Sequence, residues 1–329
     1  MQEPRPDREA GAQRAGWRRL LRSPWLRGAA LAVVLGSWGW FIWRQLDALR
    51  SYPWQLEAAP FAASLLWGAL YFAGLAVSWT LLLRTMGGAA RSVGLAAGSH
   101  IWLSTMLARY VPGNVWHIVG RVALAGSLGV SKGQVAASAT VEQLLTLLGA
   151  LAVFGLSLPL WGGDAGPAAW MLLLVPAGLA ALHPRILGAL MAWAARRLRR
   201  PELAWPYRYP TMLGIVGAYT LANLAAGVGL YVIVDGLTEV GPAQAALVVG
   251  ASALAWAAGY LSFLTPSGLG VREAALTALL ATALPLPVAV AASLAYRVAL
   301  TLGEVIAVAA SFLLMRMLRP RRAGTEEPL

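Results

Sequence analysis

The sequence predicts an all-α polytopic membrane protein, and three observations carry that expectation. First, 59% of the 329 residues are hydrophobic and only 12% are charged, about half the charge of an ordinary globular domain. Second, the apolar residues fall in runs near the length of roughly 20 residues that a helix needs to cross the hydrocarbon core. Third, basic residues gather between alternate runs, as the positive-inside rule requires of cytoplasmic segments. The net charge of +12 therefore reads as topology and not as a nucleic-acid footprint. The chain contains no cysteine, which excludes disulfides and thiolate chemistry.

The runs are taken in chain order. Residues 1–27 form a polar, Arg-rich segment, and the apolar stretch after it has no small-residue cleavage site, so it is expected to be a retained first span. Spans are predicted at 28–46, 61–83, 135–158, 168–183, 211–234 and 288–315. Two more apolar regions, 93–127 and 243–284, are each interrupted near the middle, by Val111-Pro112-Gly113-Asn114 and by Thr265-Pro266-Ser267-Gly268. Each is expected to be a broken or re-entrant hairpin, or a pair of spans, that returns the chain to the side it came from, since irregular backbone at membrane depth needs protein or water to satisfy it. That makes about six transmembrane helices plus two broken hairpins, eight or more apolar segments in all.

With a cytoplasmic N-terminus, the inside segments 1–27, 84–92, 128–134, 184–210 and 316–329 hold 20 of the 26 basic residues. The expected location is a bacterial inner membrane, with both termini cytoplasmic. The cluster Arg196-Arg197-Leu198-Arg199-Arg200 is explained by this topology alone. Many of the 15 Trp lie near predicted helix ends, where interfacial anchors belong. Residues 28–316 read as a single transmembrane domain and 317–329 as a cytoplasmic tail.

An internal repeat is visible. Residues 135–147 and 290–302 agree at seven of thirteen positions with a constant offset of 155, and Pro112 and Pro266 are offset by 154. The intervening segments place the two copies in opposite orientations. Inverted repeats of about 61–158 and 211–315 result, an arrangement typical of transporters with substrate held at the repeat interface.

Ionisable residues at membrane depth cost several kcal/mol unless they are paired or wetted, roughly 2.5–3.5 on insertion scales, so those present mark a functional region. They are Arg109, Arg121, Arg272 and Arg297, with Glu142, Glu273 and Glu304. The repeat alignment makes Glu142 and Arg297 equivalent and suggests that they meet across the pseudo-twofold axis. Around the breaks, Arg109, Asn114, His117, Arg121 and then Ser267, Gly268, Gly270, Arg272 gather near short-helix termini, a chemistry suited to a phosphate or other anion. Arg297 joins this candidate substrate-binding set. Glu142, Glu273 and Glu304 are candidates for pairing with the arginines or for carrying protons. His183 reads as an interfacial residue at a helix end, and His100 has no assigned role beyond a conceivable part in proton transfer. No metal-ligand spacing, phosphate loop, dinucleotide fingerprint or nucleophile–base pair occurs, so no catalytic residue, cofactor or metal is expected.

The segments Tyr110-Val-Pro-Gly-Asn-Val-Trp-His-Ile-Val-Gly-Arg121, Glu142-Gln143-Leu144-Leu145-Thr146 and Pro266-Ser-Gly-Leu-Gly-Val-Arg-Glu273 resemble the signatures of the lysylphosphatidylglycerol synthase transmembrane-region family. This is the flippase part of multiple peptide resistance factors and of their stand-alone relatives. The resemblance covers most of residues 28–316 and implies movement of a phosphate-bearing lipid between leaflets. Aminoacyl-phospholipids, polyprenyl-linked lipids and glycosylated lipids all fall within that class. Thirteen residues follow Arg316, so the form implied is expected to lack the aminoacyl-transferring synthase domain and not to be an enzyme, an intramembrane transferase acting on a lipid phosphate being a third reading. Expected partners are membrane lipids and a lipid synthase or glycosyltransferase, with no nucleic acid. The alternative is a non-transporting membrane subunit of a lipid-modifying or cell-envelope enzyme, its embedded charges serving structure.

Overall fold

The computed structural model describes residues 57–110, 115–161, 170, 173–199, 207–261, 268 and 270–318, with Trp43, Leu46 and Arg50. The basic segment 1–27, most of the span expected at 28–46 and most of the tail 317–329 lie outside the described residues. All regular structure among the described residues is helical. The principal helices are α1 (Ala58–Arg84), α2 (Leu95–Met106), α3 (Trp116–Ala123), α4 (Lys132–Ser157), α5 (Leu174–Ala181), α6 (Pro184–Leu198), α7 (Tyr209–Asp235), α8 (Pro242–Leu261), α9 (Val271–Leu280) and α10 (Leu286–Leu318).

Five helices are long and apolar enough to cross a membrane: α1, α4 with its 3-10 extension to Leu160, α7, α8 and α10. A sixth arises if α5 and α6, bent by 57° against each other, count as one span. Their outer faces carry exposed Leu66, Leu156, Leu221 and Met317, side chains that suit lipid and would form an adhesive surface in water. The molecule therefore fits a multi-pass membrane protein.

Four of the predicted spans are recovered with boundaries a few residues wider than expected. The region 168–183 differs. Its described part is the eight-residue α5, and the chain then turns at His183-Pro184 into α6. Proline disfavours helical backbone in the residue before it, and His183 is extended, with φ −61° and ψ 135°. Its Nδ1 accepts from the Arg185 N–H at 3.3 Å, so His183 is the N-cap of α6 as well as a helix-end residue.

The two broken regions also differ from each other. In the first, α2 and α3 have 12 and 8 residues, about 18 and 12 Å of helix, and neither crosses the hydrocarbon core alone. In the second, α8 has 20 residues and can cross, whereas α9 has 10 and cannot.

Helices α1 and α7 pack along each other at the centre. Helix α10 lies on α1 and α4 on α7; α2 lies on α10 and α8 on α4; the short arms α3 and α9 lie on α4 and α10 respectively. Small residues set the closest crossings. A Cβ on Gly303 of α10 would stand 2.8 Å from the Gly68 carbonyl carbon of α1, and one on Gly149 of α4 would stand 2.8 Å from the Tyr219 carbonyl carbon of α7. Without an aqueous hydrophobic drive between helices, such close backbone approach supplies the dispersion contacts that hold a bundle in lipid. Trp79 and Trp102 are fully buried in this core, so these two are packing residues and not the interfacial anchors that Trp content alone suggests.

Candidate functional site

Described residues on either side of the two breaks line one cavity of about 320 Å³. Helix α1 contributes Tyr71 and Phe72; α2 and the turn after it contribute Trp102, Met106 and Arg109; α3 contributes His117 and Arg121. Glu142, Gln143 and Thr146 enter from α4, Trp256, Gly259 and Tyr260 from α8, and Gly268, Arg272, Arg297 and Thr301 from the second half. Of the predicted substrate-binding residues, Arg109, His117, Arg121, Gly268, Arg272 and Arg297 therefore share one space. Asn114 and Ser267 lie outside the described residues. Gly270 is not part of the cavity lining; it precedes α9 with φ 86°, in the left-handed region that glycine tolerates, and its N–H donates to Glu273 Oε2 at 2.8 Å.

The charges are arranged in pairs, with one arginine over. Arg121 donates to Glu142 Oε2, and Trp102 Nε1 donates to the other carboxylate oxygen at 2.5 Å. Arg109 and Glu304 form a salt bridge at 2.6 Å. Arg297 stands 3.4 Å from Glu273. The partnership of Glu142 with Arg297 across the axis, suggested by the alignment, is thus not what forms. Each pairs within its own half of the chain, because the short arms α3 and α9 press a side chain of opposite sign against α4 and α10.

Among the described residues, no carboxylate lies at salt-bridge distance from Arg272. Its guanidinium lies 5.8 Å from the Tyr296 ring centroid. Backbone packing places it: a Cβ on Gly259 would meet Arg272 Cβ at 2.9 Å, and Gly268, with φ 68°, approaches the Gly259 carbonyl so closely that a Cβ would stand 2.8 Å from its oxygen. These two glycines let the segment before α9 lie directly on α8.

Arg121 is 1% exposed, flanked by the Trp79 and Trp102 rings at 5.2 and 5.8 Å, and its Nε and Nη2 have no hydrogen-bond partner among the described residues. His117 Nδ1 is likewise buried without one. Buried donors without partners are uncommon and call for an explanation, a missing ligand or water being among the first. His100, whose role the sequence left open, sits on α2 with Nδ1 3.1 Å from Ser311 Oγ and its ring edge-on to Phe312, away from this cavity's lining.

The aromatic lining is what sequence reasoning missed. Trp256 and Tyr260 stack with ring centroids 5.2 Å apart and planes 5° from parallel. Their i, i+4 spacing just ahead of the second break places them on one helix face, a signal available in the sequence. Tyr71 and Phe72 lie mid-span in α1, where nothing in the local pattern sets them apart. No metal-holding cluster of three or more His, Asp or Glu exists among the described residues.

The fold and the cavity define a helical protein suited to a membrane, with an internal chamber lined by arginine and aromatic rings. No family model matches the chain, and no curated protein matches it significantly, so the functional reading rests on this chamber.

Proposed function

We propose that the protein is a lipid flippase or related lipid transporter of a bacterial inner membrane, carrying a phosphate-bearing lipid headgroup through the chamber between leaflets. The observation that carries this reading is the convergence of Arg272, without a carboxylate partner among the described residues, and Arg121, with two unbonded donors, on one cavity. Cationic donors of this kind, one buried and one half-buried, match the oxygens of a phosphate, and arginine does so with paired donors. The resemblance to the lysylphosphatidylglycerol synthase transmembrane region points the same way.

Two further features support transport. The packing relations come in matched sets: α1 and α10 correspond to α7 and α4, α2 and α10 to α8 and α4, and α3 and α4 to α9 and α10. The glycine crossings match too, since Gly303 against Gly68 and Gly149 against Tyr219 are related by offsets of 154 and 151 residues. These matches support the reading of an inverted repeat, an architecture in which the two halves exchange conformations to expose a central site to either side. Three Arg–Glu pairs around the cavity make the remaining walls close to neutral, so the surplus positive charge sits at Arg272. The termini are assigned to the cytoplasm on the distribution of basic residues, and a lipid synthase or glycosyltransferase supplies or consumes the cargo.

Purified protein reconstituted into liposomes with an acyl-labelled anionic phospholipid is expected to speed its movement between leaflets, and the Arg272→Ala, Arg297→Ala double variant to abolish that gain. Equal movement by both proteins rejects these roles. If the wild type moves no lipid and instead co-purifies with a stoichiometric enzyme, the chain is the non-transporting subunit.

A further inference from the structure

We infer that the chamber selects an uncharged polyhydroxyl headgroup on a phosphodiester, a glycerol, inositol or sugar unit, and rejects headgroups that carry an amine. The inference rests on the transport reading and narrows its substrate class.

Charge decides the first half. A headgroup ammonium needs a carboxylate here, because an aromatic face offers a cation only about 0.5–2 kcal/mol, less than juxtaposed like charges cost it, and the cavity supplies little carboxylate. Glu142 has one oxygen on Arg121 and the other on Trp102 Nε1. Glu273 faces Arg297 with one oxygen and accepts the Gly270 N–H with the other, while Glu304 is held by Arg109. Each of the three carboxylates faces an arginine of this chain, only Glu142, with both oxygens taken, is among the residues lining the cavity, and the surplus charge is positive. A cationic headgroup entering here meets Arg272 and the buried Arg121 donors, and juxtaposed like charges cost several kcal/mol.

The ring arrangement decides the second half. Arginines already occupy faces of Phe72, Trp102 and Tyr296. Trp256 and Tyr260 stack on each other, line the cavity and are only partly buried, so part of each ring borders the chamber. The negative faces of such rings attract the weakly positive C–H groups of a sugar or polyol, as they do the edge of another ring. Gln143, Thr146 and Thr301 add neutral hydrogen-bonding groups to the same lining, suited to hydroxyls. A chamber of 320 Å³ is at the small end of ligand pockets, enough for a headgroup while its acyl chains remain in lipid.

The test uses the full chain in phosphatidylcholine vesicles, each batch containing one acyl-labelled lipid: phosphatidylglycerol, phosphatidylinositol, phosphatidic acid, phosphatidylcholine or lysyl-phosphatidylglycerol. Phosphatidylglycerol and phosphatidylinositol are expected to move at least about tenfold faster than the two amine-bearing lipids. If lysyl-phosphatidylglycerol or phosphatidylcholine moves as fast, the headgroup inference is overturned while the transport reading stands. If no lipid moves faster than in protein-free vesicles, both are overturned. Trp256→Ala and Tyr260→Leu are each expected to slow phosphatidylglycerol and phosphatidylinositol about three- to tenfold and to change phosphatidic acid, which has no polyol, less than about twofold. Equal slowing of all three lipids by both variants overturns the ring platform.

Discussion

The two halves of the chain solve the same electrostatic problem differently. In the first, a short arm brings arginine to a glutamate on a long helix: Arg121 of α3 meets Glu142 of α4, and both are essentially buried at 1% and 5% side-chain exposure. In the second the signs are exchanged: Glu273 of α9 meets Arg297 of α10 at 3.4 Å, with the arginine 15% exposed. The first pair is tight, shared with Trp102, and sealed. The second is looser and sits beside Arg272, the cluster's arginine with no described carboxylate at salt-bridge distance. One half thus contributes a fixed, paired arginine to the chamber, and the other contributes the charge that no described carboxylate offsets.

If that contrast is right, breaking the two pairs has unequal consequences. Glu142→Gln removes the charge partner of a sealed arginine, and loss of one member of a buried pair costs about 3–5 kcal/mol. Thermal unfolding in mild detergent is expected to show the largest drop for this variant. Gly303→Ala and Gly149→Ala each force a methyl against backbone at 2.8 Å, at a cost of about 1–3 kcal/mol. If the halves are repeats, as proposed, the crossings are counterparts and the two costs are expected to agree closely; a large inequality would count against the repeat.

Glu273→Gln is expected to be milder, about 1 kcal/mol, since glutamine still accepts from the Gly270 N–H and the partly exposed Arg297 keeps access to solvent. A cost for Glu273→Gln equal to that of Glu142→Gln would erase the distinction between a sealed and an open half. Arg196→Ala, on the exposed face of α6, is expected to change stability by less than about 0.5 kcal/mol, measured in the same way.

Helix existence was legible because lipid-length apolar runs are an unusually direct signal, and α1, α4, α7 and α10 were all visible in outline. The expected span 168–183 ends at the His183-Pro184 turn, but α6 beyond it was hidden because the arginines of 184–210 read as a cytoplasmic segment. The length difference between α2 and α8 was hidden because both sit in apolar regions with a similar interruption. In the site, the charged residues stood out since each is costly in lipid, yet their pairing did not. Glu142 and Arg297 are aligned in sequence, but the arm that packs on each helix, and therefore the partner, is set by tertiary docking 21 residues away in one case and 24 in the other. The aromatic wall was the least visible part, because Tyr71, Phe72 and Trp102 look like ordinary members of apolar helices.

The most direct test of the central claim is the lipid that the protein itself retains. Native mass spectrometry of the wild type, released from mild detergent, is expected to show one bound phosphate-bearing lipid, and Arg272→Ala, folded to the same melting temperature, to lose it. Identical lipid occupancy in the two proteins would contradict the assignment of Arg272 as the headgroup's anchor.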